Sequence, residues 1–165
     1  MRTKSYKYHT NRKTVITTAI HFAVFIAAAL LIWMMYVGGY FSAWFTSLIV
    51  ALVALMIISV PRKISVDKDA VTIFCVLEIV ELPIAEIVSA RQIDNSECQW
   101  MIPIFGSRGF FGYYGYYLDI DTLERVHFYA TEWQNLVEIV DIYDDRYYVS
   151  CRQAEDFIAQ IEEYK

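Results

Sequence analysis

Closely spaced aspartates are the first candidates for chemistry in this sequence. Asp119 and Asp121 are separated by one residue, so a strand through them would present both carboxylates on one face. Such a pair could share a cation or take part in acid–base catalysis. A second group, Asp141, Asp144 and Asp145, falls where a turn is predicted. Because solvated acids are ordinary in turns, both groups favour a structural interpretation.

Other catalytic sets are missing from the sequence. The sole histidine after residue 60 is His127, which falls on a predicted strand, and we find no Ser-His-Asp set around it. Cys75, Cys98 and Cys151 match no C-x-x-C or zinc pattern, and a cytosolic domain would keep them reduced. Nothing identifies a histidine or further carboxylate that would complete a metal site. We therefore predict no enzyme activity, no cofactor and no metal, and keep a metal- or carboxylate-dependent enzyme as the last alternative.

A glycine-punctuated aromatic segment runs over residues 105–117 (FGSRGFFGYYGYY). Its glycines permit positive φ or a close approach of two backbones, which is typical of a bulged strand or a tight turn. A phosphate-binding loop is the alternative, but the segment lacks Gly-Lys-Ser/Thr and a clear strand–loop–helix context. We expect aromatic side chains here to be exposed and to bind a partner. The candidate interaction residues are Trp100, Gly106, Ser107, Gly109, Phe110, Phe111, Gly112, Tyr113 and Gly115.

Short β-like runs position these residues. Alternating or β-branched patterns and turn residues predict strands over 70–77, 79–84, 87–93, 112–118, 125–133, 136–142 and 146–150. Residues 153–164 then show an apolar stripe of helical period, with Ser150 as the candidate N-cap. The spacing of the turns favours an antiparallel sandwich or barrel of about seven strands, closed by a C-terminal α-helix.

This order of elements and the glycine rhythm resemble the bacterial PH-like domain family. The matching positions are Gly106, Ser107, Gly109, Gly112 and Gly115, and Tyr147 to Ser150 leading into Phe157 and Ile158 resembles the family's final strand and helix. The sequence departs from the family pattern at Arg108 and Cys151. The resemblance covers roughly residues 64–162 and implies a PH-like fold, often joined to membrane helices and mostly without an assigned activity.

An apolar run precedes this domain. The 48 residues between Lys13 and Arg62 contain no Asp, Glu, Lys or Arg. At about 20 residues per membrane-spanning helix, this length predicts two spans, over 15–37 and 41–60, with a reversal at Gly38 and Gly39. Pro61 ends the second helix because it cannot continue the hydrogen-bond ladder. A cleaved signal peptide is the competing interpretation, but its apolar core would be shorter.

Charge and aromatic residues orient the predicted hairpin. Residues 1–60 contain five cations and no acid, and Arg62, Lys63 and Lys68 follow the second span. Cations beside spans stay cytosolic, so both termini should face the cytosol. Residues 1–14 form a basic cytosolic segment, residues 15–61 the two spans and residues 62–165 a cytosolic domain. Aromatic residues around the reversal mark the outer membrane interface, namely Trp33, Tyr36, Tyr40 and Trp44.

The charge of the domain limits its partners. Residues 61–165 contain nine cations and nineteen acids, a formal balance of −10. A polyanion needs a basic footprint, so we predict no nucleic-acid binding, and the same sign disfavours specific phosphoinositide recognition. The sequence therefore predicts a multi-pass protein of the bacterial cytoplasmic membrane. Its domain is expected to be a non-enzymatic interaction module that binds a protein partner or a second copy of itself. The alternative is a membrane protein that senses a small ligand.

Overall fold

The computed structural model describes residues 3–34 and 40–165. Two apolar helices, α1 (Arg12–Met34) and α2 (Tyr40–Ile58), follow a short N-terminal strand. By length and composition, α1 is the one helix of the described residues that could cross a membrane, whereas the apolar part of α2 is shorter. The predicted reversal at Gly38 and Gly39 lies outside the described residues.

The remaining chain is mainly β-structure with one C-terminal helix, α3 (Ala154–Tyr164). Ten strands are present in the described ranges, rather than the predicted number of about seven. The strands are β1 (Lys4–Lys7), β2 (Pro61–Val66), β3 (Ala70–Cys75), β4 (Ile79–Pro83), β5 (Ile87–Ile93), β6 (Met101–Arg108), β7 (Tyr113–Asp119), β8 (Arg125–Ala130), β9 (Leu136–Asp141) and β10 (Arg146–Ser150).

These strands form two sheets instead of a closed barrel. The first sheet has the order β1-β2-β3-β4, and the second has the order β5-β9-β10-β8-β7-β6. Every pairing is antiparallel except that of β8 with β10, which is parallel and corrects the prediction of a purely antiparallel arrangement. The connection from β8 to β9 skips one strand position, and β10 returns as a hairpin to fill it.

All seven predicted strands exist, and three further strands were not predicted. β2 starts at Pro61 directly after an apolar helix, so the sequence does not show where the spacing of apolar residues changes from that of a helix to that of a strand. β6 carries Pro103 and Gly106, residues that disfavour central strands, and it lies at the edge of its sheet, where they are tolerated. β1 precedes α1 within the segment predicted only as a basic tail.

Strand β1 joins the N-terminus to the domain. It pairs antiparallel with β2, with Tyr6 opposite Ile64. The Tyr6 ring is 4% exposed and meets the Phe157 ring edge-on at 5.3 Å between centroids. The chain therefore leaves the first sheet at β1, forms both apolar helices, and returns to the same sheet at β2.

Two hydrophobic cores hold the β-structure together. The first lies between the two sheets and α3, which buries Phe157 and Ile161 on the apolar stripe predicted from the sequence. The second lies on the other face of the larger sheet, where the Phe128 and Tyr148 rings stack at 4.8 Å. The prediction of Ser150 as the helix N-cap is wrong. Ser150 belongs to β10, and its hydroxyl accepts the Thr131 backbone N–H at 3.0 Å.

Candidate functional site

Contrary to the prediction from the sequence, the paired aspartates do not share one face of a strand. Strand β7 ends at Asp119, so Asp121 lies in the following turn and not on the same strand face. The Asp119 carboxylate accepts the Asp121 backbone N–H at 3.0 Å. Asp141 likewise accepts the N–H groups of Tyr143 and Asp145, at 2.9 and 3.0 Å. Both aspartates therefore stabilise turns.

The described ranges contain no group of three or more His, Cys, Asp or Glu side chains placed to hold a metal ion. Cys75, Cys98 and Cys151 are buried and free, as the sequence indicated. Burial is the first cause that raises the pKa of the Cys75 thiol to about 12 and that of the Cys98 thiol to about 12. Thiols in this state are poor nucleophiles, so they act as small core side chains.

The glycine-rich segment forms the β6–β7 hairpin, which confirms its interpretation as a bulged strand and tight turn. Gly106 and Gly115 face each other across the two strands with φ values of 137° and 102°. A Cβ atom at either position would meet the opposing backbone at 2.1 or 2.3 Å. The register also shifts between Pro103 and Phe105. These positions require glycine for the close approach of two backbones.

The tip of this hairpin is a closed loop, residues 108–112. The Gly109 N–H donates to the Gly112 carbonyl at 2.7 Å. The Phe110 N–H donates to the Ser107 hydroxyl at 3.0 Å, and that hydroxyl lies at the same distance from the Phe110 carbonyl. Gly112 has a φ of 143°, and a Cβ there would meet the Ala130 carbonyl at 2.6 Å. Ser107, Gly109 and Gly112 thus shape the loop.

The 108–112 loop docks on the first helix. Phe110 is 1% exposed, and its ring centroid lies 5.4 Å from that of Phe22 and 6.1 Å from that of Phe25. The Phe111 N–H donates to the Thr18 hydroxyl at 2.8 Å. The expectation that Phe110 is an exposed binding residue is therefore wrong. Its ring packs instead against the aromatic side chains of α1 in its own chain.

A second contact fixes the start of α1. The Thr14 hydroxyl donates to the Thr131 carbonyl at 3.0 Å, and the Thr131 hydroxyl donates to the His9 carbonyl at 2.8 Å. Just before this point, the Tyr8 hydroxyl donates to the Tyr129 carbonyl at 2.7 Å. Residues 8–18 therefore contact the domain through several hydrogen bonds. These contacts were not predicted from the sequence, although Thr14 and Thr18 at the start of an apolar helix were a usable signal.

The other candidate residues differ in exposure. Trp100 is 61% exposed and Phe111 36% exposed, whereas Tyr113 is half-buried against Trp133, with ring centroids 4.7 Å apart. Of the predicted membrane-interface residues, Trp44 is 76% exposed. Tyr36 and the side chains of Trp33 and Tyr40 lie outside the described part of the chain.

The second helix meets the domain differently. A cavity of about 350 Å³ lies between the end of α2 and the face of strands β6, β7 and β8. His127 on β8 lines this cavity, with its ring stacked on Tyr147 at 4.7 Å and edge-on to Tyr116 at 4.8 Å. Burial is the first cause that lowers the pKa of the His127 imidazole, so the neutral form is favoured.

One family model, described as Bacterial PH domain, matches residues 62–164. The match covers more than half of the chain and confirms the resemblance that the glycine rhythm and the order of strands indicated. No curated protein and no solved structure gives a match to the chain.

Proposed function

The chain belongs to the bacterial PH domain family, and on that premise we propose that it is a non-enzymatic, membrane-anchored interaction module. Helices α1 and α2 cross the bacterial cytoplasmic membrane as a hairpin, and both termini lie in the cytosol. The domain binds a protein partner, or a second copy of the chain, at the cytosolic face of the membrane.

The observation that carries this proposal is the pairing of β1 with β2 on either side of the apolar helices. Tyr6 lies opposite Ile64 in one sheet. The residues that precede and follow the two apolar helices are therefore on the same side of any membrane that the helices cross. If α1 spans, α2 must span back. At 1.5 Å per residue the helices of 23 and 19 residues are about 34 and 28 Å long, close to the thickness of a hydrocarbon core.

The distribution of cations supports the cytosolic orientation. Five lysines and arginines lie before the helices, and Arg62, Lys63 and Lys68 lie after them, whereas the 48 residues between Lys13 and Arg62 have no charge from Asp, Glu, Lys or Arg. Lysine and arginine near the ends of spans remain on the cytosolic side.

An exposed apolar patch supports the binding of a protein. Trp100, Ile102 and Ile120 are 61%, 48% and 40% exposed, and the Ile120 N–H donates to the Trp100 carbonyl. We call these three residues the Trp100 patch. At about 3.3 Å per residue, Ile102 lies about 20 Å along β6 from Arg108, where the 108–112 loop begins, so the patch is distant from the helix contact. It also adjoins an edge strand, whose unpaired backbone groups can accept a partner.

Cross-linked affinity purification of the full chain from its own membrane tests this function. We expect one stoichiometric partner, or a discrete ladder of the chain itself, in the wild type. Ile102→Asp should abolish it by placing a charge in the patch. The matched control is Ile142→Asp, which changes the same residue type at a 55% exposed position in the turn between β9 and β10. Equal complexes in wild type and both variants would contradict a role for the patch.

Small-ligand sensing is the second candidate function, because the cavity beside α2 offers a site of suitable size. In that function the two helices transmit the change between the ligand-free and ligand-bound states across or along the membrane. Thermal unfolding of the full chain against a panel of metabolites and lipids tests it. A shift that requires the residues of the cavity would support sensing, and no shift with any compound would count against it.

A further inference from the structure

The cavity beside α2 is amphipathic. Its walls are mainly apolar, and its polar side chains include Ser59 and Glu78, where the Ser59 hydroxyl donates to the Glu78 carboxylate at 2.8 Å. No lysine or arginine is among the lining residues of the described structure. The apolar walls come from Leu52 and Leu55 of α2 and from Ile104, Phe105, Tyr116 and Tyr129 of the sheet.

Bare backbone forms part of the cavity lining. Gly106 and Gly115 both line it, and each is required to be glycine by the backbone of the opposite strand. Because neither residue has a side chain, backbone atoms form the cavity wall at these positions. The cavity is therefore built into the β6–β7 hairpin.

If α1 spans the membrane, the β6–β7 hairpin also lies within the depth of the bilayer. The 108–112 loop contacts Thr18, Phe22 and Phe25, which are about 9 to 20 Å along the helix from its first residue, Arg12. Hydrocarbon provides no hydrogen-bond partners, so backbone groups at this depth must be paired within the protein. The amides of Gly109, Phe110 and Phe111 meet that condition, since they donate to the Gly112 carbonyl, the Ser107 hydroxyl and the Thr18 hydroxyl.

We propose that the cavity between α2 and the β6–β7 hairpin takes one acyl chain of a phospholipid from the cytosolic leaflet. This inference rests on the proposed membrane position of the helices. Leu52 and Leu55 lie about 9 and 4.5 Å from the end of α2 at Ile58, at the depth where acyl chains begin. Both are more than half exposed beside the cavity, so the site opens toward lipid.

The residues that line the cavity favour the acyl chain of a lipid over its headgroup. Apolar side chains provide most of the contact, and the Glu78 carboxylate would repel a phosphate. The headgroup therefore remains outside the cavity, at the cytosolic interface. A site of this kind holds a lipid between an anchor helix and the domain.

Photo-cross-linking of the full chain tests the proposal. The protein is reconstituted in phosphatidylcholine vesicles that contain a few mole per cent of phosphatidylcholine with a diazirine on its acyl chain. After irradiation, labelled residues are mapped by mass spectrometry. We expect label on α1, on α2 and on the hairpin near Ile104 and Phe105. Leu55→Trp should lower the hairpin label by roughly fivefold, because the indole occupies the cavity.

Val50→Trp is the matched control. Val50 is 61% exposed on the same helix, about 200° around the axis from Leu52 and about 140° from Leu55. The hairpin label should persist in this variant. Equal hairpin label in wild type and Leu55→Trp would overturn the proposal, because the contact would then be superficial.

The wild type alone separates this inference from the proposed function. Labelled helices with an unlabelled hairpin overturn the acyl-chain site and leave the membrane anchor intact. A chain without label in either helix contradicts the membrane anchor itself. Both results are read without any variant, so a variant that fails to fold does not prevent the test.

Discussion

Side-chain hydrogen bonds and a buried aromatic ring hold the first helix on the domain. The second helix touches the domain at its C-terminal end, where the Leu77 N–H donates to the Ile58 carbonyl at 3.1 Å, and a cavity lies beside it. On the α1 side, Thr14, Thr18 and Phe110 make the contact, although a cavity of about 610 Å³ lies nearby, lined by Thr18, Phe22 and Phe111 among others. On the α2 side, Leu52 and Leu55 stay more than half exposed. The difference indicates that α1 fixes the orientation of the domain, while the space beside α2 remains available to a ligand.

Of the substitutions that test this comparison, removal of the Phe110 ring should lower the free energy of unfolding most. Phe110→Ala takes a ring that is 1% exposed out of the α1 interface, and we expect the free energy of unfolding to fall by about 3 kcal/mol. Chemical denaturation of the full chain in detergent, followed by near-UV circular dichroism, measures this change.

Leu55→Ala is the control on the α2 side. Leu55 is 55% exposed, so its truncation should cost about 1 kcal/mol or less. Similar losses for the two variants would remove the distinction between the buried contact of Phe110 and the exposed position of Leu55.

A smaller loss is expected at Thr131, where the chain before α1 meets the domain. Thr131→Val removes the hydroxyl that donates to the His9 carbonyl, and we expect a loss of about 1 kcal/mol in the free energy of unfolding. Thr131→Ser keeps the hydroxyl and should restore most of it. Denaturation under the same conditions measures both, and an unstable Thr131→Ser variant would assign the effect to the lost methyl group instead.

The smallest effect concerns pH on the α2 side. Burial lowers the folded-state pKa of His127 below its ordinary value of 6.5, although Asp145 and Asp141 oppose the shift. As the pH falls through about 6.5 the unfolded chain binds more protons than the folded chain, so stability is present above this pH and is lost below it.

Thermal unfolding of the full chain between about pH 7.5 and about pH 5 measures this loss. His127→Gln should have a flatter profile than the wild type. His9→Gln, at an exposed position, should keep the wild-type profile. Identical slopes for the wild type and His127→Gln would show that the acid sensitivity arises elsewhere.

Local patterns in the sequence predicted much of the fold. The seven strands with clear alternation were predicted close to their observed positions, and so was the amphipathic helix that buries Phe157 and Ile161. β6 was hidden because edge strands tolerate the proline and glycine that argue against a strand. β1 was hidden because its pairing with β2 bridges more than fifty residues, and a local window carries no information about such a contact.

The site was harder to predict than the fold. The glycines of the β6–β7 hairpin were identified with their structural role, because the freedom to adopt a positive φ without steric cost is a property of glycine. The burial of Phe110 was not, because a phenylalanine in a glycine-rich loop has the same sequence signature whether it faces water or a helix. Only the fold brings residues 108–112 beside Thr18, which is about ninety positions away in the chain.

Hydrogen–deuterium exchange at the Phe111 amide tests the central claim, that α1 and the domain are one structural unit. This amide donates to the Thr18 hydroxyl in the full chain. We predict that it is protected in lipid nanodiscs and that Thr18→Val accelerates its exchange by on the order of tenfold. Thr18→Ser should retain protection, as should Thr17→Val, whose lost hydroxyl bonds only to the Lys13 carbonyl in its own helix. Exchange in the wild type at the rate of an open loop would contradict the claim.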